Sequence, residues 1–297
     1  MKKIICVTLT FVMLCAMSVP AFAAEASDIT TYSATINEYD VYVQTRATPT
    51  AELIHNGVSQ QTIEVIKSNA IEEELTNLSQ LCTDDLSNLG YNSTQIDLLH
   101  NYSGERIETN SELRGLFADL NSTFYCLFSS TSSFTVMIEW KWSNCPFTAG
   151  TAFNDIVGIV WKGIDNAGWT INLALNSSDS ACSINYYNRS NDSFQYSQIV
   201  PIKTDDPYGH VYARFTMGDE NTSGFYAKTG TLIIRVDRIG TQSIYEASFV
   251  FGYGHSIVSV SPSLSLPESF GIGFSAGVEQ MDEKAVRVSS DGKVIEY

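Results

Sequence analysis

From Ser59 onward apolar residues recur at three- and four-residue steps, at Ile63, Ile66, Ala70, Ile71, Leu75, Leu78 and Leu81. Glu72, Glu73 and Glu74 fall partly on the opposite side. That period predicts one or two amphipathic helices. Thr83, followed by Asp84 and Asp85, predicts the start of another, with acids near its positive end and Gly90 as its stop. Asn92 with Gln95 three positions on forms a capping-box pattern and launches a last helix carrying Ile96, Leu99 and Tyr102. Together these predict a small acidic helical unit.

After Leu113 the apolar period shortens to two. Phe134, Val136, Ile138, Trp140 and Trp142 alternate with Thr135, Met137, Glu139 and Lys141, so one face of a strand is apolar and the other wet. The run from Leu120 to Phe128 pairs with it as a hairpin through Ser129 to Ser133. Further strands are predicted at Ile156 to Trp161, Trp169 to Leu175, Leu232 to Val236, Tyr245 to Tyr253 and Phe270 to Val278, for eight to ten in all. The fold class is mainly β, an antiparallel two-sheet sandwich or open barrel with a small acidic α-helical N-terminal region. Clean alternation argues against a buried parallel sheet.

The chain begins with Lys2 and Lys3, an apolar run from Ile4 to Val19, and Ala21 and Ala23 in an A-x-A arrangement. This is the pattern of a secretory signal peptide, too short and too interrupted for a spanning helix. Four segments follow: signal peptide 1–23, a polar arm or single edge strand 24–50, the acidic helical region 51–112, and the antiparallel β domain 113–297. The expected mature N-terminus is Ala24, and the expected location is extracellular.

Net charge is −16, becoming −18 once Lys2 and Lys3 are removed, and residues 24–112 carry 15 acids against 3 bases. Nucleic acids and anionic membranes bind clustered Lys and Arg. No basic patch or stripe runs along this chain, which excludes nucleic acid as an expected partner. No second apolar stretch is long enough to span a bilayer as a helix. Cys82, Cys126, Cys145 and Cys182 remain after signal removal, enough for two disulfides in an oxidising compartment. With the hairpin turn centred near Thr131, Cys126 falls opposite Val136, on the apolar face with Phe124 and Phe128, and out of reach of Cys145.

The chain has no H-E-x-x-H and no P-loop, and catalytic residues are not assigned. His55, His100, His210 and His255 are scattered, and no metal site is expected from spacing. Asp205 with Asp206, and Asp219 with Glu220, lie among turn formers. They suit loops, with calcium as the sharper reading, although the twelve-residue ligand pattern is missing. Paired carboxylates on distant strands leave a glycoside hydrolase open. Trp140 and Trp142 share the parity of the apolar face, so they are expected in the core rather than stacked on a sugar. The Ser- and Thr-rich hairpin also resembles in composition the membrane-inserting hairpins of β-pore toxins.

The tripeptide Tyr208, Gly209, His210 returns as Tyr253, Gly254, His255. The plain reading is two strand ends using Gly for a bend or bulge. The sharper reading makes these the ligand-binding residues, with both imidazoles edging one site and their pKa values raised by Asp205 and Asp206.

Several short stretches carry a family resemblance: Leu89, Gly90, Tyr91 with Gln95 and Ile96; Trp140 to Ser143 with Pro146; Asp155 to Val157 with Trp161; and Tyr253 to His255. The chain resembles an uncharacterised secreted protein family of Gram-positive bacteria over most of its mature length. The resemblance implies secretion and brings no activity with it. The expected function is a secreted, non-catalytic binding or interaction protein with an unknown extracellular ligand or surface and no cofactor. The alternatives are a β-pore-forming or membrane-active toxin and an extracellular hydrolase.

Overall fold

The computed structural model describes residues 31–55, 60–147, 154–218, 224–256, 264–265, 273–274 and 278–296. The signal segment 1–23, the proposed cleavage site and the Asp219–Glu220 pair lie outside the described residues.

Two antiparallel sheets pack face to face, with no closed barrel. The first contains β1 (Thr31–Asn37), β2 (Asp119–Ser129), β3 (Ser133–Trp142), β6 (Leu173–Leu175), β7 (Ala181–Asn188), β8 (Phe194–Val200) and β10 (Phe225–Arg238), in the order β1-β2-β3-β10-β7-β8, with β6 also on β10. The second contains β4 (Asn154–Ile164), β5 (Thr170–Ile171), β9 (His210–Thr216), β11 (Glu246–Ser256), β14 (Val278–Ser289) and β15 (Val294–Glu296). Its order is β15-β14-β11-β4-β5, with β9 also on β4. A separate two-stranded pair joins β12 (Leu264–Ser265) and β13 (Gly273–Phe274).

The hairpin follows the predicted register, with Cys126 opposite Val136. Leu127 is then an extra residue, because the next pair is Phe128 with Thr135. The bulge breaks the parity: Phe128 is exposed and Cys126 only half-buried, not buried beside Phe124 as expected. Trp140 and Trp142 lie in the core between the sheets with Phe134, Val136 and Ile138, so the indole that meets solvent is Trp169. Trp140 fits because its partner across the strands is Gly230. A Cβ at Gly230 would stand 2.1 Å from the indole. The four cysteines among the described residues, Cys82, Cys126, Cys145 and Cys182, are free thiols.

The helices are α1 (Glu38–Ala47), α2 (Thr50–His55), α3 (Gln60–Lys67), α4 (Ala70–Ser79), α5 (Thr83–Asn88) and α6 (Ser93–His100), and α1, α4, α5 and α6 build a second core with Leu75, Leu86, Leu99 and Ile107 at its centre. The capping box is formed in both directions: Gln95 N–H donates to the Asn92 side chain at 3.0 Å, and Asn92 N–H donates to the Gln95 side chain at 3.1 Å. Gly90 takes φ +93°, as the end of α5 requires. Two expectations change here. Within 24–50 the edge-strand alternative holds at 31–37, which pairs with β2, but 38–47 is a helix that the polar stretch did not predict. Glu72 does not face water: its carboxylate is buried against Arg46 Nη1 at 2.5 Å.

Candidate functional site

The strand β1 ends at Asn37, whose side chain accepts a hydrogen bond from Tyr39 N–H at 2.9 Å and so starts α1. This turn drives Glu38 into the junction between the helical unit and the sandwich, where it is fully buried. Its Oε2 accepts N–H bonds from Ala118 at 2.8 Å and Phe147 at 3.2 Å. Its Oε1 has no hydrogen bond and lies 3.8 Å from His255 Nε2.

On the other side of the imidazole, His255 Nδ1 stands 3.0 Å from each oxygen of Asp155. A carboxylate only accepts, so Nδ1 carries the proton and donates it. Tyr253 Oη donates to Asp155 Oδ2 at 2.6 Å and accepts from Trp142 Nε1 at 3.2 Å. Two carboxyls, one imidazole and a phenol thus share a space that water does not reach.

Two buried carboxylates and one imidazolium would leave a net negative charge, which burial disfavours. Loss of solvation pushes Glu38 up to about 7, against the pull of His255 and the N–H groups of Ala118 and Phe147. Burial, with Asp155 beside it, holds the Tyr253 phenol well above its usual range. The arrangement can hold and share protons. Its members come from α1, β4 and β11, so it also fastens the helical unit to the second sheet.

The two histidine tripeptides do not form one site. His210 pairs with Val160 of β4, whereas Tyr253 pairs with Val157 and His255 extends two residues further. The strand β4 runs between β9 and β11, and the five-residue offset is about 16 Å along it. Because the offset is odd, the side chains leave opposite faces of the sheet. His255 and Tyr253 do stand together, while Tyr208 is 54% exposed in a loop. His210 is buried with Nδ1 unbonded, and burial lowers its pKa despite the opposing pull of Asp206 and Asp205. The expected upward shift is therefore reversed. Asp206 acts as a turn former, accepting from Tyr208 N–H at 3.0 Å.

An open groove of about 350 Å³ runs between β8 of the first sheet and β9 of the second, lined by Tyr186, Tyr196, Gln198, Asn154, Arg214 and Thr216. Tyr186 and Tyr196 stack at 4.7 Å, and Tyr186 Oη donates to Thr216 O at 2.8 Å. The Arg214 guanidinium lies over the Tyr212 ring at 5.1 Å, and its Nε has no hydrogen bond. Sequence reasoning missed this groove and the role of Glu38, because both depend on which strands end side by side. Asp155 gave a readable signal, as an acid heading the apolar run Ile156 to Trp161. No group of three or more His, Cys, Asp or Glu side chains is placed to hold a metal ion among the described residues. Among those residues no helix is long and apolar enough to cross a membrane.

Fold and groove define an antiparallel β-sandwich with a helical unit at one end and a cleft along one open side. No family model matches the chain, and no curated protein matches it. Among solved structures, the chain is similar to the collagen-binding domain from a Staphylococcus aureus adhesin, at 9% identity over 54% of this chain and 89% of that one, with a TM-score of 0.26. It is also similar to the KRT10-binding region domain of the pneumococcal serine-rich repeat protein PsrP, at 12% identity over 46% and 76%, with a TM-score of 0.22. A third is the Clostridium perfringens NetB toxin in its membrane-inserted form, at 12% identity over 61% and 95%, with a TM-score of 0.22. Likeness at this level assigns no ligand and no activity.

Proposed function

We propose that the protein is a secreted, non-catalytic binding protein that takes an extracellular ligand in the groove between β8 and β9. The groove itself carries this reading. It offers the stacked ring of Tyr196, the amides of Asn154 and Gln198, and the Arg214 side chain. A flat ring face beside amide donors and acceptors suits a hydroxylated ligand such as a glycan. Residues 1–23 fit export as a signal peptide, and the motif resemblance to secreted proteins of Gram-positive bacteria agrees with that location.

Two observations weigh against the rival functions. The β2–β3 hairpin lies inside the first sheet, bonded to β1 on one side and β10 on the other, so inserting it in a bilayer would dismantle the core. The carboxyls of Asp155 and Glu38 are closed off from water, so this pair does not serve as the acids of a hydrolase.

A glycan array probed with the mature protein tests the proposal. Binding to a subset of glycans, weakened tenfold or more by Tyr196→Ala and by Gln198→Ala, is the expected result. No binding across the array, or binding that both variants retain, would count against it. Dye release from liposomes would favour the pore reading instead.

A further inference from the structure

Four turns meet at one end of the sandwich: 130–133 between β2 and β3, 165–169 between β4 and β5, 239–245 between β10 and β11, and 290–293 between β14 and β15. The helical unit is at the other end, since α1 follows Asn37, which pairs with Asp119 at the start of β2. The 239–245 loop ties the turns together. Ile239 N–H donates to Asn172 O at 3.0 Å, Ile244 N–H to Thr131 O at 2.9 Å, Tyr245 N–H to Ile164 O at 2.8 Å, and Ser290 N–H to Tyr245 O at 2.9 Å. Asp165 Oδ1 accepts from Ala167 N–H and Trp169 N–H at 2.9 Å each, and Arg238 Nη1 donates to the carbonyls of Thr241 and Gln242. From this frame Trp169, Tyr245 and Ile239 reach into solvent, 72%, 57% and 47% exposed. The four turns carry Asp165, Asp291 and Lys293, and Arg238 at the base of the loop brings their net charge to zero. Residues 38–112 hold 13 acids against 3 bases.

We propose that this neutral pole docks on the headgroup region of a zwitterionic lipid bilayer, with Trp169, Tyr245 and Ile239 seated in it and the acidic helical unit turned away. This goes beyond the groove reading and leaves the groove open, because its Asn154 and the turn's Ile164 stand at opposite ends of β4. The three side chains offer roughly 400 Å² of surface, about half of what one side of a stable protein interface buries. They stand on separate turns, and Trp and Tyr combine an apolar body with a polar tip, which suits headgroup depth. The main-chain N–H groups beside them are already bonded within the protein, so they lose little where water thins out. A pole without net charge gains nothing from anionic lipid and meets no repulsion from zwitterionic lipid. The strand β2 sets the acids about 33 Å away, several screening lengths at physiological salt.

Flotation of the mature protein with phosphatidylcholine vesicles tests this. The expected result is co-flotation with a blue shift of tryptophan emission, unchanged between about 0.05 and 0.5 M NaCl, and no release of trapped dye. Trp169→Ala and Tyr245→Ala should each lower the partition coefficient at least fivefold with the melting temperature unchanged. If one variant loses stability, the other decides. Ile54→Ala and Ile199→Ala shorten exposed side chains elsewhere and should bind as the parent does. No flotation at any lipid concentration would overturn the proposal and pass the pole to a protein partner. Binding that both aromatic variants retain, binding that either isoleucine variant weakens as much, loss of binding as salt rises, or dye release would overturn it as well.

Discussion

Glu38 Oε1 faces His255 Nε2 at 3.8 Å across the seam between helix α1 and strand β11, and neither side chain reaches solvent. Residues more than two hundred positions apart therefore share one proton balance, which also includes Asp155 on β4.

Glu38 titrates at about 7 in the folded chain, against 4.5 ordinarily. A carboxyl with a raised pKa stabilises the fold fully below its unfolded value, and that contribution is lost as pH rises from about 4.5 through 7. Glu38→Gln keeps an oxygen for the Ala118 and Phe147 N–H groups and removes the charge. In urea unfolding it should stabilise the protein by about 1–3 kcal/mol at pH 8 and change little at pH 5. Equal effects at both pH values would show that the Glu38 charge is not the cause.

Tyr253→Phe deletes the donor to Asp155 Oδ2 and the acceptor of Trp142 Nε1. Two buried polar groups lose a partner, so destabilisation of about 2–4 kcal/mol is expected. His255→Phe in the same background should cost less than it does alone, because the residues belong to one network. A double-mutant cycle measures the difference.

Gly230→Ala sets a methyl group against the Trp140 indole, which has packed neighbours on its other side in Phe215 and Phe251. Overpacking of this kind costs about 1–3 kcal/mol. Gly230→Ala with Trp140→Leu should recover part of that loss in thermal unfolding, whereas the two changes would simply add if the contact were unimportant.

Arg46→Ala would leave the Glu72 carboxylate buried with only backbone N–H groups as partners, that of Ile107 at 3.3 Å among them. The Arg46 hydrogen bond holds Glu72 below the usual carboxylate range although burial pushes it up. Removing one partner of such a pair costs about 3–5 kcal/mol. Loss of helical signal in Arg46→Ala before any loss of the β signal would show that the helical unit melts first.

Cys82 is exposed, whereas burial pushes the thiols of Cys126 and Cys145 up to about 11 and that of Cys182 to about 12. Thiolate is the reactive form. With Ellman's reagent at pH 8, one thiol per chain should react quickly and the others only on unfolding. Rapid reaction of two or more would contradict this burial.

Local periodicity carried most of the secondary structure. The helical steps from Ile63 to Leu81, the Asn92–Gln95 cap, the Gly90 stop and the pairing of Cys126 with Val136 were all readable, because each depends on neighbours a few residues away. The same reading put Trp140 and Trp142 in the core. Only the tertiary structure could decide strand order, because pairing across the sheets is not encoded in alternation. That order sets β4 between β9 and β11, which separates His210 from His255 and brings Asp155 to His255. It also buries Glu38, an acid in a polar stretch with no apolar period, where the chain turns from β1 into α1. The groove and the grouping of Trp169, Ile239 and Tyr245 belong to the same category. They exist where strands end beside each other, and the pattern within each strand is silent about what lies next to it.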